Sequence, residues 1–251
     1  MIKNLVFLVA VLMLVCSFLP AQGTHKAKIT SDELRARIAD QTKAFKDIVM
    51  TITITAKNKE ALESVEPNFT RMYEFKSAVI SFKNPDKIKT EGKLGMVRFE
   101  YIINGFTKIV RSPTIRLNQI TKFPDEPAKI QDAFDIGLIC AAIYKNRKIE
   151  VVEDPQAQMN NEIKIRLYYP NSTMRYYAWL DGQNLWLKRF EKRNAYEVLK
   201  VRYEFTNPKN IDNIIWIPTR TEMYAPDGRK AGISETINMK VNVGLDDKIF
   251  E

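Results

Sequence analysis

From Asp47 onward the chain repeats one pattern: short runs with an apolar residue at every second position, closed off by turn dipeptides. Ile48, Met50, Ile52 and Ile54 alternate with Val49, Thr51, Thr53 and Thr55, and Val97, Phe99, Tyr101 and Ile103 alternate with Arg98, Glu100 and Ile102. A period of two sends one set of side chains to a core and the other to solvent, so each run reads as a half-buried strand. Asn104-Gly105, Asp181-Gly182 and Asp227-Gly228 each fall between two such runs. These dipeptides tolerate the positive φ of a tight hairpin, which makes neighbouring strands antiparallel. Further runs, among them residues 163–169, 174–180, 196–205, 215–224 and 233–243, bring the total to about 11 strands with no break in composition. The predicted class is mainly β (α+β), a strongly curved antiparallel sheet forming an unclosed barrel. A flat sheet of that width would leave long edges and an uncovered apolar face.

Two segments are available to cover the concave face. Thr30-Ser31-Asp32-Glu33 has the spacing of a capping box and opens an amphipathic helix to about Lys46, with Leu34, Ile38 and Phe45 on its buried stripe. Residues 128–146 read as a second helix, apolar nearly all round through Phe134, Ile136, Leu138, Ile139, Ala142 and Ile143. A helix apolar on every side is buried on every side, so its place is inside the curl, where Gly137 permits close approach to a strand. It is either a plain core helix or a movable plug that shares its space with a ligand.

At the N-terminus Lys3 precedes a run without polar residues over 5–15, and Pro20-Ala21-Gln22-Gly23 follows. Charge, greasy core and small-residue exit are the order of a secretory signal, which predicts a signal peptide over 1–23, cleavage near Gly23 and one domain over 24–251. A stretch of roughly 15 apolar residues is shorter than the ~20 that span a bilayer. Lipidation at Cys16 is the alternative, but Val15 stands where a lipoprotein signal has Gly, Ala or Ser. Export with cleavage leaves Cys140 as the one thiol, a small buried hydrophobe without a disulfide partner.

The residue inventory also limits chemistry. His25 is the only histidine, only two cysteines occur, and no Gly-x-Ser-x-Gly elbow is present. A serine hydrolase would lack its base and a Cys/His zinc site its ligands. No catalytic residue, cofactor or metal is therefore expected. Asp132 and Asp135 share a helix face at i, i+3 and read as a solvated helix start. The formal charge of +9 is spread along the chain. For an exported protein it points to a solvated surface or to anionic lipid head groups, with no nucleic acid partner.

Four stretches carry a resemblance. Trp179-Leu180-Asp181-Gly182-Gln183-Asn184-Leu185, the run from Asn210-Ile211-Asp212-Asn213 through Trp216-Ile217-Pro218-Thr219-Arg220, the terminal run from Asn242-Val243-Gly244 to Ile249-Phe250, and Phe82-Lys83-Asn84-Pro85-Asp86-Lys87-Ile88-Lys89 together resemble the bacterial outer-membrane lipoprotein-sorting, or LolA-like, family. The resemblance implies a periplasmic carrier whose half-barrel takes up acyl chains of lipoproteins or phospholipids and hands them to a membrane-associated donor or acceptor protein. In that family an arginine holds the lid shut, and no arginine of this sequence is assigned that role. The inward-facing positions expected to line the lipid-binding cavity are Ile48, Met50, Ile52, Ile54, Val97, Phe99, Tyr101, Phe134, Leu138, Ile215, Ile217 and Met239. Two rival readings use the same hollow: a lipid or lipoprotein sensor that regulates a membrane partner, and a metal-dependent phospholipase built on carboxylates.

Overall fold

The computed structural model of the chain describes residues 29–65 and 73–251. The predicted leader over 1–23, Cys16 and His25 lie outside the described residues. Helix α1 (Ser31–Gln41) starts at the capping box: Thr30 Oγ1 accepts from the Glu33 amide at 3.2 Å, and Glu33 Oε2 accepts from the Thr30 amide at 2.7 Å. Leu34 and Ile38 are its buried stripe. The helix stops short of the predicted Lys46 because the Thr42 amide and hydroxyl both turn back to the Ile38 carbonyl. Phe45 then drops into the core and stacks on Phe82 at 6.0 Å.

Among the described residues, 13 strands form one antiparallel sheet. They are β1 (Asp47–Lys57), β2 (Ser77–Lys83), β3 (Lys87–Leu94), β4 (Val97–Asn104), β5 (Thr107–Ser112), β6 (Leu117–Lys122), β7 (Lys148–Val151), β8 (Glu162–Tyr168), β9 (Arg175–Asp181), β10 (Leu187–Arg193), β11 (Leu199–Ile211), β12 (Ile215–Tyr224) and β13 (Lys230–Val241). The order runs β6-β5-β4-β3-β2-β1-β13-β12-β11-β10-β9-β8-β7, so every connection but the pairing of β1 with β13 is to a sequence neighbour. The count exceeds the expected 11 by two, and the short strands β6 and β7, each legible as an apolar run over 115–120 and 149–152, form the two ends of the sheet.

The predicted hairpins form, but none of the three turns has positive φ at both residues of its dipeptide. Asn104 pairs with Thr107 as a strand residue, and Gly105 at φ 59° is the first of two turn residues. Glycine in that position is the demand of a type II′ turn, in place of the Asn-Gly type I′ turn that the dipeptide suggests.

Alternation along the strands leaves one apolar face, and that face holds the main core: Ile48 and Met50 of β1, Phe82 of β2, Ile88 of β3, Ile165 of β8, Ala178 of β9, Phe190 of β10 and Ile217 of β12 share a single cluster with Leu34 and Ile38 of α1. Its other end is covered by α2 (Lys59–Val65), whose Ala61 and Leu62 pack on Val201, Met223 and Ala231. The sheet curls strongly enough to bring its two ends together. Asn171, after β8, donates to the Asp125 carbonyl, after β6, at 2.8 Å, and Lys145 before β7 pairs with Asp86 between β2 and β3 at 2.7 Å. The opposite face is sealed near the C-terminus by Phe250 on Ile102 and Ile109. The terminal run is anchored by the buried Asp47 carboxylate, which accepts from the Val243, Gly244 and Leu245 amides at 2.7–3.2 Å.

The expected helix over 128–146 is not a helix. It is a chain of three 3₁₀ turns, Pro127–Lys129, Ala133–Ile136 and Ala141–Tyr144. The second turn is started by Asp132, which accepts from the Phe134 amide at 2.8 Å, and is ended by Gly137 at φ 77°. A cap and a left-handed glycine so close together leave room for one turn only. The apolar character of the stretch was a measure of burial, and burial is what the structure shows: Phe134, Leu138, Ile139, Cys140 and Ile143 are all at most 3% exposed.

Candidate functional site

The three-turn segment lies in the hollow of the sheet as a plug. Phe134 stacks on Phe190 at 5.6 Å, and the stack continues through Phe190 to Tyr176 and Tyr203, each at 6.3 Å. Antiparallel register puts these aromatics side by side, since Phe190 pairs with Ala178 and with Tyr203. Gly137 passes so close to β11 and β12 that a Cβ there would stand 3.3 Å from Pro218 and 3.4 Å from Phe205. Apolar contact of this kind contributes roughly 1.5–3 kcal/mol per large side chain buried.

Charge fixes the plug at its start. The Arg147 side chain is 5% exposed and pairs with Asp132 at 2.8 Å. Arg147 also donates to the Tyr169 hydroxyl at 2.5 Å, and Tyr169 donates to Asp132 Oδ2 at 2.9 Å, which closes a triangle. The guanidinium lies between the Phe134 and Tyr169 rings, at 5.5 and 4.7 Å. Burial, and then the Asp132 charge, push the Tyr169 hydroxyl well above its ordinary pKa, so it stays a donor. Asp135 pairs with Lys192 of β10 at 3.0 Å. Burial opposes the Lys192 charge and is the largest single effect, but Asp135 together with Tyr203 and Tyr176 outweighs it and raises the ammonium pKa. Asp132 and Asp135 are thus partners of a buried arginine and a half-buried lysine and not the solvated helix start their spacing suggested. Among the described residues no group of three or more His, Cys, Asp or Glu side chains lies together as a metal site would require.

Of the twelve expected cavity positions, Ile48, Met50, Phe134, Leu138, Ile215 and Ile217 are buried in the main cluster, and Ile52, Tyr101 and Met239 pack against it. Ile54, Val97 and Phe99 lie outside that cluster, and Phe99 meets Phe75 edge-on at 6.1 Å. Sequence reasoning missed Arg147, Lys192 and the aromatic floor of Tyr176, Phe190 and Tyr203. The floor had a readable signal in the alternation of β11, whereas the two cations had none, because their carboxylate partners come from a distant loop.

The plug fills most of the hollow. Two cavities border the plug, one of about 170 Å³ beside Ile139 and α1 and one of about 40 Å³ between Ala133, Arg147 and the β2–β5 side. Both are smaller than the ~300–1,000 Å³ of pockets that enclose a drug-sized ligand.

An open 13-stranded sheet wrapped round a buried cover has counterparts among solved structures. A domain of Vibrio parahaemolyticus, whose crystal structure carries the name outer membrane lipoprotein-sorting protein, superposes with a TM-score of 0.57 at 13% identity over 88% of this chain and 94% of that one. A LolA superfamily protein from Nitrosomonas europaea superposes with a TM-score of 0.60 at 14% identity, over 89% of this chain and 98% of its own. The fold is LolA-like. No family model matches the sequence and no curated protein matches it. The LolA-like half-barrel of this chain therefore rests on its backbone, while the plug and its Arg147–Asp132–Tyr169 triangle are described from this chain's own residues.

Proposed function

We propose that the protein binds acyl chains of lipids or lipoproteins in the hollow now filled by the plug, and carries them across the periplasm in outer-membrane lipoprotein sorting. In this reading residues 1–23 direct export, and a membrane-associated protein gives or receives the cargo. No covalent step is involved. Each methylene exposed to water costs about 0.8 kcal/mol, so a chain of ~16 carbons faces a penalty on the order of 10 kcal/mol in an aqueous compartment and needs an apolar enclosure. The plug supplies that enclosure with a stand-in for the cargo: Phe134, Leu138 and Ile139 occupy the space an acyl chain would take.

One observation carries the proposal. The side chains that fill the hollow come from a segment without regular helix or strand ladder, held at its start by two ion pairs, and such a segment can leave as a unit. Release of the Arg147 and Lys192 contacts lets the plug swing out, and cargo replaces it on the aromatic floor. The exchange is driven by the difference in affinity between open and closed states.

A fluorescent C16 fatty acid tests this. It is expected to bind the folded protein, and Phe134→Ala with Leu138→Ala is expected to raise its affinity about tenfold by weakening the competing plug. Absence of binding to protein with an intact melting transition would refute the proposal.

A further inference from the structure

The triangle that seats the plug has the form of an oxyanion site. Asp132 Oδ2 lies where two donors converge, Arg147 Nη1 at 2.8 Å and the Tyr169 hydroxyl at 2.9 Å. The donors belong to the half-barrel, since Arg147 directly precedes β7 and Tyr169 directly follows β8, whereas the acceptor belongs to the plug. Tyr169 is held by ring contact with Tyr176 of β9, and Arg147 lies over the Tyr169 ring, each at 4.7 Å. The plug itself is built like an amphiphile: a carboxylate at its start, then the buried apolar side chains Phe134, Ile136, Leu138 and Ile139. Its second carboxylate, Asp135, meets Lys192, whose side chain is 27% exposed and keeps part of its hydration. Arg147, at 5%, keeps almost none.

When the plug swings out, Asp132 goes with it and Arg147 stays. Tyr169 remains beside the guanidinium as a neutral acceptor, but the countercharge is gone. An acyl chain with a neutral end would cover this cation without pairing it, and a buried charge without a partner is costly. A chain that ends in a carboxylate or a phosphate restores a charge-assisted hydrogen bond to each donor. We infer that the cargo is an anionic acyl lipid, whose head takes the place of the Asp132 carboxylate on Arg147 and Tyr169 while its tail takes the place of the plug's apolar side chains. The inference rests on the acyl-binding reading and adds to it the class of cargo and the residues that recognise it.

Competition of palmitate, hexadecyl phosphate and hexadecanol against the fluorescent fatty acid, below micelle formation and with the fatty acids ionised, tests the site. The three share one chain length and differ in the head. At least one anion is expected to bind about tenfold more tightly than the alcohol, and the tighter of the two anions identifies the head as carboxylate or phosphate. The double variant Asp132→Asn with Arg147→Met removes both charges, and in it the preference should largely disappear while all three compounds still bind. Asp135→Asn weakens only the closed state, so it should tighten all three by the same factor and leave the preference intact. Equal affinity for the three heads, tighter binding of the alcohol, or a preference untouched by the double variant would overturn the anion site alone. Failure of the fluorescent fatty acid and of all three compounds to bind the wild-type protein would overturn the acyl-binding reading together with it.

Discussion

Glu222 sits on the face of β12 turned away from the hollow, with its side chain 15% exposed. Lys230 and the Tyr224 hydroxyl, and after them Arg220, outweigh the burial penalty and hold its carboxyl down at about 2. The folded pKa lies below the unfolded one, so the stabilisation is complete above about pH 4.5 and is lost as pH falls toward 2. Discounted for solvent screening, it amounts to roughly 2 kcal/mol. Glu222→Gln is therefore expected to lower stability at pH 7 by about that amount and to flatten the pH dependence of the urea midpoint between pH 5 and 2. Parallel curves for the two proteins would contradict this. Little at the residue scale was legible in advance. Glu222 and Arg220 alternate visibly in a strand, but Lys230 reaches Glu222 only through the β12–β13 register. Asp47 likewise reads as a strand residue, and its three amide partners lie at the far end of the chain.

The elements divide into those that sequence periodicity defines and one that it misreads. Strands and α1 were legible because alternation and capping are local: the Thr30–Glu33 box and the β1 pattern lie where the sequence put them. The plug was misread because a stretch apolar on every side has no period, and Asp132 and Gly137 hold the helix to a single turn within it. What keeps the plug seated is the Arg147 triangle, an ion pair that is costly to break from one side. Arg147→Met leaves the Asp132 carboxylate buried without its cation and is expected to lower the unfolding free energy by about 3 kcal/mol. The double variant Asp132→Asn with Arg147→Met should recover most of the loss, since it removes both charges. Denaturant titration of the single and double variants checks this, and a single variant as stable as the parent would show that Arg147 does not pin the plug.

Across the whole molecule the hairpin signals gave the order of neighbouring strands, but not the curl. The curl is closed by contacts between segments far apart in sequence, such as Asn171 with Asp125 and Lys145 with Asp86. The candidate hollow was legible as an apolar face. That the chain fills this face with its own plug was not, because a buried segment and a ligand satisfy the same pattern. Cys140 reports on the difference. It is fully buried in the plug, and burial lifts its thiol pKa to about 12, so in the closed protein it is neither accessible nor ionised. The most direct test of plug exchange is the rate at which a maleimide labels Cys140 in a Cys16→Ser chain, with and without a C16 fatty acid. Labelling is expected to be slow in the free protein and at least about tenfold faster with the acyl chain bound, as the plug is displaced. An equal rate in both states, with the fatty acid shown to be bound, would contradict the account.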